Sequence, residues 1–316
     1  MSTIQENLTT DTIERIRAFN RSWTEVLGLL DPHLLDTEHT LTEARVLFEL
    51  GRGRGGGIDR LELRDKLAID QSFLGRVLGR LQRAGLIVIA RDAVDGRRHR
   101  LTLTAAGRAA YKNLDRRSAK QIGGMLAPLS DDQRRLLAEA MAVIPAVVRP
   151  GTYDRSAVGI RGLEPGDLGW VVSRHGAIYA DEFAWNTDFE GLVAQVVADY
   201  QVHARPGRDN AWIATVGGAR AGCLFCVERE PTTAQLRILL VEPWARGLGI
   251  GARLVDECIA FARSAGYATM MLWTNDVLVA ARRIYQTAGF VLMEEEKHHS
   301  FGHDLVGQNW TLDLRQ

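Results

Sequence analysis

The sequence is short of cysteine, proline and long apolar runs, and each shortage excludes a class of protein. Its 316 residues include 3 cysteines and 8 prolines. An odd, sparse set of thiols excludes a disulfide-stapled extracellular scaffold and suits a reducing compartment. The chain has no run of ~18 apolar residues that could span a bilayer and no N-terminal stretch typical of a secretory signal. We therefore expect a cytoplasmic protein that makes no use of a membrane.

Two of the cysteines, Cys223 and Cys226, form a C-x-x-C pair. Such a pair can be a redox site or half of a zinc site. The surrounding residues predict a β-strand, which places positions i and i+3 on opposite faces. The sequence therefore favours two separate core positions over a redox or metal site.

The net charge is zero, but the charge is unevenly distributed along the chain. Residues 1–150 carry 24 Lys and Arg against 19 Asp and Glu, an excess of five positive charges. Residues 151–316 carry the remaining 15 against 20, an excess of five negative charges. Within residues 52–117 the count is 16 basic against 7 acidic. A local excess of that size indicates that one part of the chain meets a polyanion.

The length suits two domains, and the residue patterns predict a boundary at Arg149-Pro150-Gly151. Residues 1–150 are predicted to be mainly helical, with a helix pair near residues 59–84 followed by a basic hairpin that turns at Asp95-Gly96. Residues 151–316 show strands and helices in an α+β order, without an internal repeat. Capping residues mark several helix starts: Asp70, Thr104 and the Ser130/Gln133 pair.

A glycine-rich loop, Arg246-Gly247-Leu248-Gly249-Ile250-Gly251, follows a predicted strand and opens a predicted helix. Glycines let the backbone approach a ligand closely, and the helix start adds its dipole, so the segment predicts an anion site for a pyrophosphate. The segment also satisfies a dinucleotide-binding pattern. Two observations disfavour that alternative. Glu242-Pro243-Trp244-Ala245 separates the strand from the loop, and too little chain follows for a doubly wound sheet.

The loop and a second motif together resemble the GNAT superfamily of N-acetyltransferases. The segment V-E-P-x-x-R-G-x-G-I-G is similar to motif A of that family, and Ala281 to Phe290 is similar to its A-x-x-x-Y-x-x-x-G-F motif. The resemblance covers roughly residues 158–314. It implies an α+β fold with a central mixed, mostly antiparallel sheet, and acetyl transfer from acetyl-coenzyme A to a small-molecule or peptide amine.

The resemblance also implies roles for individual residues. Tyr285 is the expected acid for the departing thiolate. Glu228, Glu182 or a water molecule is left as the base, because the strand before the loop has no carboxylate where some relatives carry one. Leu278 stands where many relatives have Asn, so Asn275 is the nearest candidate for that contact. The expected cofactor-binding residues are Leu239, Leu240, Val241, Arg246, Gly247, Leu248, Gly249, Ile250, Gly251, Asn275 and Tyr285.

The acceptor site is expected near an aromatic cluster that includes Tyr179 and Trp185, and near a predicted loop with His298 and His299. Hydrophobic packing is the alternative for the aromatic residues. A plain surface loop is the alternative for the histidines. Three nearby histidines can bind zinc, but the sequence arranges no fourth ligand beside them, so we predict no metal site.

The first half resembles the MarR family of winged helix-turn-helix regulators. The resemblance rests on L-T-E-A-R-V-L-F-E-L at 41–50, the helix pair, and D-G-R-R-H-R-L-T-L-T-A-A-G at 95–107. It implies a homodimer on double-stranded DNA, with a recognition helix in the major groove and Arg97 in the minor groove. The expected DNA-binding residues are Gln71, Ser72, Arg76, Arg80, Arg97 and Arg98.

Three functions remain open at this stage. The chain is an enzyme whose DNA-binding half regulates or localises it, or a transcription factor whose second half only senses acetyl-coenzyme A or an amine. In the third, the winged helix only dimerises the enzyme.

Overall fold

The computed structural model describes residues 10–31, 33–53, 57–91 and 99–315. The chain forms two compact units, and the boundary between them in the sequence lies between Leu129 and Ser130. This division precedes the predicted boundary near residue 150. The helix Asp131–Val148 therefore groups with the second unit, where Ala142 and Ala146 of its apolar face are buried. The hydroxyl of Tyr153 also donates to the Ala142 carbonyl at 3.0 Å.

The first unit is a helical fold with a small three-stranded sheet. Its helices are α1 Thr10–Val26, α2 Leu41–Arg52, α3 Arg60–Leu67, α4 Gln71–Arg83 and α5 Ala105–Leu126. Its strands are β1 Ile58–Asp59, β2 Ile87–Arg91 and β3 His99–Leu103, in the antiparallel order β1-β3-β2. The predicted helix pair and both strands of the basic hairpin are confirmed, whereas β1 was not predicted.

Side-chain caps fix the helix starts of this unit where the sequence placed them. The Asp70 carboxylate accepts from the Phe73 N–H at 2.8 Å. The Thr104 hydroxyl accepts from the Gly107 N–H at 3.0 Å. Each cap satisfies a donor that the first helical turn leaves unused.

The second unit is an α+β fold around a seven-stranded sheet. Its helices are α6 Asp131–Val148, α7 Asp167–Phe183, α8 Thr187–His203, α9 Ile250–Ser264 and α10 Val279–Thr287. Its strands are β4 Val158–Arg161, β5 Asn210–Val216, β6 Ala219–Glu230, β7 Thr233–Val241, β8 Thr269–Asn275, β9 Val291–Ser300 and β10 His303–Asp313. The strand order is β4-β5-β6-β7-β8-β10-β9, and β7 pairs with β8 in parallel while the other neighbours are antiparallel. The predicted mixed, mostly antiparallel sheet is confirmed.

Helices cover both faces of this sheet and bury a core on each. Residues of α9 and α10 pack with one set of strand side chains, among them Cys226. Residues of α7 and α8 pack with the other set, among them Cys223. The two cysteines therefore lie on opposite faces of β6 in separate cores, as the strand pattern predicted.

One expected loop is a hairpin. Residues 298–303 end β9, turn at Phe301 and Gly302, and begin β10, so His298 and His299 are strand residues. Phe301 and Gly302 both have positive φ, as the two central residues of a type I′ hairpin turn do. Within the described ranges, none of the helices has the length and apolar composition that a bilayer crossing needs.

Candidate functional site

Strands β7 and β8 separate midway and open a gap in the centre of the sheet. Their pairing runs from Thr233 beside Thr269 to Leu236 beside Leu272. Beyond this point β7 carries an irregularity opposite Cys223 and Phe225 of β6, and Ile238 has a left-handed φ of 46°. A bulge bends its strand and redirects side chains. The end of β7 therefore turns away from β8.

The glycine loop lies at the open end of this gap. Gly247 and Gly249 have φ values of 84° and 78°, a region that favours glycine. The first hydrogen bond of α9 runs from the Arg253 N–H to the Gly249 carbonyl at 3.1 Å. The N–H groups of residues 250–252 are thus not used inside the helix and are available to an anion.

A cavity of about 570 Å³, the loop cavity, extends along the loop and the end of β7. Its wall contains eight of the expected cofactor-binding residues: Leu239, Leu240, Val241, Arg246, Gly247, Gly249, Ile250 and Gly251. Leu248 differs, because its side chain packs against the hydrophobic core. Arg155, which the sequence gave no reason to select, adds a positive charge to the wall beside Gly249.

A smaller cavity of about 130 Å³, the strand cavity, continues inward between α7, α8, β7 and β8. It shares four wall residues with the loop cavity: Tyr179, Leu239, Leu278 and Ala281. The two cavities are therefore contiguous. Tyr179, Trp185, Asn275 and Tyr285, which the sequence assigned to the acceptor, the cofactor or catalysis, all line the strand cavity.

Two tyrosines with raised pKa values line the strand cavity, and Tyr179 also lines the loop cavity. Burial raises the pKa of Tyr285 well above its ordinary value, and Tyr179 and Cys258 raise it further. Burial likewise raises the pKa of Tyr179, with added effects of Cys223 and Glu182. Both phenols therefore stay protonated at neutral pH and are proton donors there.

The two carboxylates expected as bases do not line the strand cavity. Glu182 lines the loop cavity and pairs with Arg246, with 2.7 Å between its Oε1 and a guanidinium nitrogen. Glu228 pairs with Arg205 at 2.6 Å and with Arg208 at 2.7 Å. Hydrogen bonds from Arg208 and Arg205 lower the pKa of Glu228, which makes it a weaker base. Glu228 lines neither cavity, so its position supports a structural ion pair instead.

Asn275 and the two histidines also differ from expectation. The buried Asn275 lines the strand cavity rather than the loop cavity, and its Oδ1 accepts from Nε2 of His298 at 2.8 Å. His298 therefore holds the orientation of Asn275. His299 points outward on β9, where its Nδ1 lies 2.7 Å from the exposed Asp304 carboxylate. In the part of the chain that the structure describes, no group of three His, Cys, Asp or Glu side chains is arranged to hold a metal ion.

His175 lines the strand cavity, although the sequence did not single it out. It lies one helical turn before Tyr179 on α7, and the two rings stack with centroids 5.9 Å apart. Its Nδ1 donates to the Val171 carbonyl at 2.8 Å. Its buried Nε2 has no hydrogen-bond partner among the described residues. Burial lowers the pKa of His175 to about 4, so the ring is neutral at pH 7.

The neutral state of His175 predicts acid sensitivity of the second unit. The ordinary pKa of 6.5 applies to the unfolded chain, so the unfolded state binds the proton more readily. The resulting stability is fully present above pH 6.5 and is lost as the pH falls through about 4. The free energy of unfolding is expected to fall by about 3 kcal/mol over this pH range. We expect His175→Phe to flatten this dependence in urea unfolding measured across that range.

The matched control for this prediction is His299→Gln, because the His299 side chain is 70% exposed. This variant should keep the slope of the wild type. A His175→Phe protein with an unchanged slope would assign the acid sensitivity to other groups.

In the first unit, α4 carries four of the residues that the sequence predicts to bind DNA. Gln71, Ser72 and Arg76 are exposed, while Leu74, Val77, Leu78 and Leu81 are buried on the opposite face. Arg80 differs, because its Nε donates to Glu43 of α2 at 2.7 Å and so helps to hold the two helices together. Arg97 and Arg98 lie outside the described residues.

Comparisons with known proteins also find two separate segments in the chain. The model of the acetyltransferase (GNAT) family matches residues 177–290, and the model of the MarR family matches residues 40–98. The two family models therefore match separate segments of the chain. A segment that matches the MarR family is fused to a segment that matches the GNAT acetyltransferase family.

Several known proteins are similar to part of the chain. An uncharacterised N-acetyltransferase of Schizosaccharomyces pombe is 28% identical over 38% of this chain and 75% of its own length. An N-acetylaspartate synthetase of Danio rerio is 29% identical over 33% of this chain, and the match covers 38% of the length of that relative. A structure of yncA from Salmonella typhimurium, described as an acetyltransferase with its cofactor acetyl-CoA, superposes with a TM-score of 0.44. The two sequences are 19% identical, and the superposition covers 50% of this chain and 94% of the yncA chain.

Proposed function

We propose that the second unit transfers an acetyl group from acetyl-coenzyme A to the amine of a small acceptor. The observation that carries the proposal is the contiguity of the two cavities, with Tyr285 on the wall of the inner one. A large outer site joined to a small inner site suits a long cofactor whose reactive end meets a small second substrate. The GNAT family match supports the same reaction class.

The loop cavity fits the cofactor. The N–H groups at the start of α9 and the positive charges of Arg246 and Arg155 suit the pyrophosphate and phosphate oxygens. The strand gap leaves the backbone at Leu239 to Val241 available to the amides of the pantetheine arm. When bound, acetyl-coenzyme A supplies an activated acyl group, and the amine nitrogen bonds to its carbonyl carbon as the C–S bond breaks.

Binding of the cofactor requires Arg246 to exchange partners. Arg246 now pairs with Glu182, and its side chain is 50% exposed. An exposed pair of this kind contributes little stability. A phosphate group competes well for the guanidinium because it accepts bidentate hydrogen bonds.

Tyr285 is the proposed acid. Its raised pKa keeps the phenolic proton in place until a stronger base, the departing thiolate, forms beside it. The amine enters as the free base or loses its proton on binding. The neutral imidazole of His175 lies on the wall of the same cavity. Among the described residues, this wall includes no Asp or Glu. Because its lowered pKa makes His175 a weak base, we favour a water molecule over His175, Glu182 and Glu228 as the proton acceptor.

The test is release of free thiol from acetyl-coenzyme A by the full chain, with amino acids, polyamines, simple amines and peptides as acceptors. Thiol release that depends on one acceptor class supports the enzyme. Tight binding of acetyl-coenzyme A without acceptor-dependent release contradicts turnover and favours a sensor of the cofactor.

We further propose that the first unit binds double-stranded DNA through α4. The exposed Gln71, Ser72 and Arg76 at the start of the helix support this role, as does the MarR family match. The exposed apolar side chains of α1 support a homodimer. No residue of α1 is buried, and Ile13, Ile16, Phe19 and Val26 are 41–57% exposed at helical spacing.

Arg76→Gln is expected to weaken binding to duplex DNA of random sequence. Loss of one phosphate contact should reduce the dependence of log K on log salt by about 0.9. The measurement is fluorescence anisotropy over a series of salt concentrations. Arg116→Gln on α5 is the control, because it removes an equal and exposed charge outside the helix pair. Equal salt dependence in wild type and Arg76→Gln would contradict a role for α4 in DNA binding.

A further inference from the structure

The strand cavity carries a positive charge and no opposing one. Its lining includes Arg237, but among the described lining residues no Asp or Glu occurs. The other polar side chains there are uncharged and include His175, Tyr179, Gln235, Thr274, Asn275 and Tyr285. A ligand of this cavity therefore meets a net positive surface.

Arg237 projects from β7 into an apolar setting. It pairs in register with Phe225 of β6 and alternates with Leu236, whose side chain belongs to the core on the opposite face of the sheet. The cavity wall around it includes Val193 and Val196 of α8. Arg237 is half-buried there.

Within the described ranges, Arg237 makes no ion pair and no side-chain hydrogen bond with the protein. Other partly buried arginines of this unit differ. Arg161 pairs with Asp167 at 2.6 Å, Arg174 with Glu242 at 2.5 Å and Arg220 with Glu139 at 2.8 Å. A desolvated charge without a counter-ion is costly. Burial lowers the pKa of Arg237, which Asp199 on α8 partly opposes, yet a guanidinium keeps its charge.

The position of Arg237 relates it to the reacting atoms. It lies two residues before Leu239, which borders both cavities, so the two Cα atoms are at most about 7 Å apart. An acceptor with its amine at the junction of the cavities can reach the guanidinium within a few bonds. The cavity volume of about 130 Å³ is below the ~300–1,000 Å³ of sites for drug-sized ligands.

We propose that the acceptor is a small amine that carries a carboxylate, such as a free amino acid, and that Arg237 binds this carboxylate. The proposal rests on the proposed function and adds the substrate class. Arg237 is then a specificity-determining residue, since a planar guanidinium matches a carboxylate through two hydrogen bonds. The same charge disfavours polyamines, because a cation would be placed beside an uncompensated cation.

The first test varies the ligand and leaves the protein unchanged. Thiol release by the full chain is measured with pairs of acceptors that differ only at the carboxylate: each free amino acid and its carboxamide. The free acid is expected to give a kcat/KM at least about 10-fold higher than its carboxamide, which lacks the charge-assisted bonds. Equal values for the members of each pair would overturn the proposal while leaving the acetyltransferase intact.

The second test varies the residue. Arg237→Gln is expected to raise the KM for the free acid about 10- to 100-fold, while the KM for the carboxamide and the Kd for acetyl-coenzyme A stay near the wild-type values. Arg283→Gln is the matched control, because Arg283 is an exposed arginine on α10 and lines neither cavity. An equal loss with acid and carboxamide in Arg237→Gln would assign Arg237 a structural role and overturn the proposal.

A third measurement separates this proposal from the proposed function. If the wild type binds acetyl-coenzyme A but turns over none of these amines, the proposed function fails. Calorimetric titration with free amino acids then decides the role of Arg237. Binding by wild type that Arg237→Gln abolishes supports a carboxylate site in a sensor. Equal binding, or none to either protein, overturns the carboxylate site.

Discussion

Replacing Tyr285 by Phe is expected to lower kcat for acetyl transfer by about 100- to 10,000-fold, the usual range for a positioned general acid. The reason is the environment of the phenol. Tyr285 is 5% exposed and lines the strand cavity, and burial keeps its pKa high, so its proton remains available to the thiolate. The Kd for acetyl-coenzyme A should change little, because the ring and its packing against Phe290 are retained.

The control for this variant is Tyr267→Phe. Tyr267 is also buried, and its hydroxyl donates to the Arg208 carbonyl at 2.9 Å, but it lines neither cavity. Loss of that bond should reduce stability by about 1 kcal/mol and leave kcat unchanged. Steady-state thiol release and urea unfolding of both variants give the comparison. If Tyr285→Phe keeps wild-type kcat, the acid is another group, and Tyr179 at the junction of the cavities is the next residue to test.

The second large effect is expected at the glycine loop. Gly247→Val should weaken acetyl-coenzyme A binding by about 10- to 100-fold. A β-branched residue at φ 84° is strained, and relief of the strain would move the N–H groups that face the cavity. In addition, Gly247 lies on the cavity wall, so its new side chain would enter the space that the pyrophosphate needs. Isothermal titration with acetyl-coenzyme A measures the change.

Gly266→Val separates strain from ligand contact. Gly266 has a similar φ of 80° and, like Gly247, open space where a Cβ would be. It follows α9 at its far end and lines neither cavity. Both variants should lose a similar amount of folding free energy, about 1–3 kcal/mol. Only Gly247→Val should lose affinity, and equal affinities of the two variants would show that the loop does not hold the cofactor.

The sequence was most informative where a function depends on residues that are adjacent along the chain. The glycine loop, its helix start and the helix caps at Asp70 and Thr104 are local features, with their physical causes within four residues. The face of each cysteine on β6 followed from strand alternation alone. The mostly antiparallel sheet was expected from the family resemblance.

Features that depend on tertiary contacts were not predictable from the sequence. Glu228 and Glu182 looked available as bases, but arginines from distant segments occupy them: Arg208 and Arg205 for one, Arg246 for the other. Arg237 could have attracted notice as a single charge within the apolar run Leu236 to Val241. Its lack of a partner becomes visible only when the neighbouring elements are in place.

His175 illustrates the same limit on a helix. It precedes Tyr179 by four residues, so helical spacing places the two on one face. Without the knowledge that this face borders a cavity, the pair is indistinguishable from core packing. The division of the chain by contacts precedes the boundary expected from the sequence for a related reason. The apolar residues of α6 gave no indication of which unit would bury them.

Because all three cysteines are buried, their reaction with a thiol reagent can report how often the second unit opens. Cys223, Cys226 and Cys258 are fully buried, and residues 1–129 contain no cysteine. A thiol-specific reagent therefore labels the folded chain only when the second unit opens, and its rate follows that opening equilibrium. Acetyl-coenzyme A at 100 times its Kd should slow the labelling by about 100-fold, because it binds the closed state alone. Labelling thus measures cofactor occupancy without any acceptor or turnover.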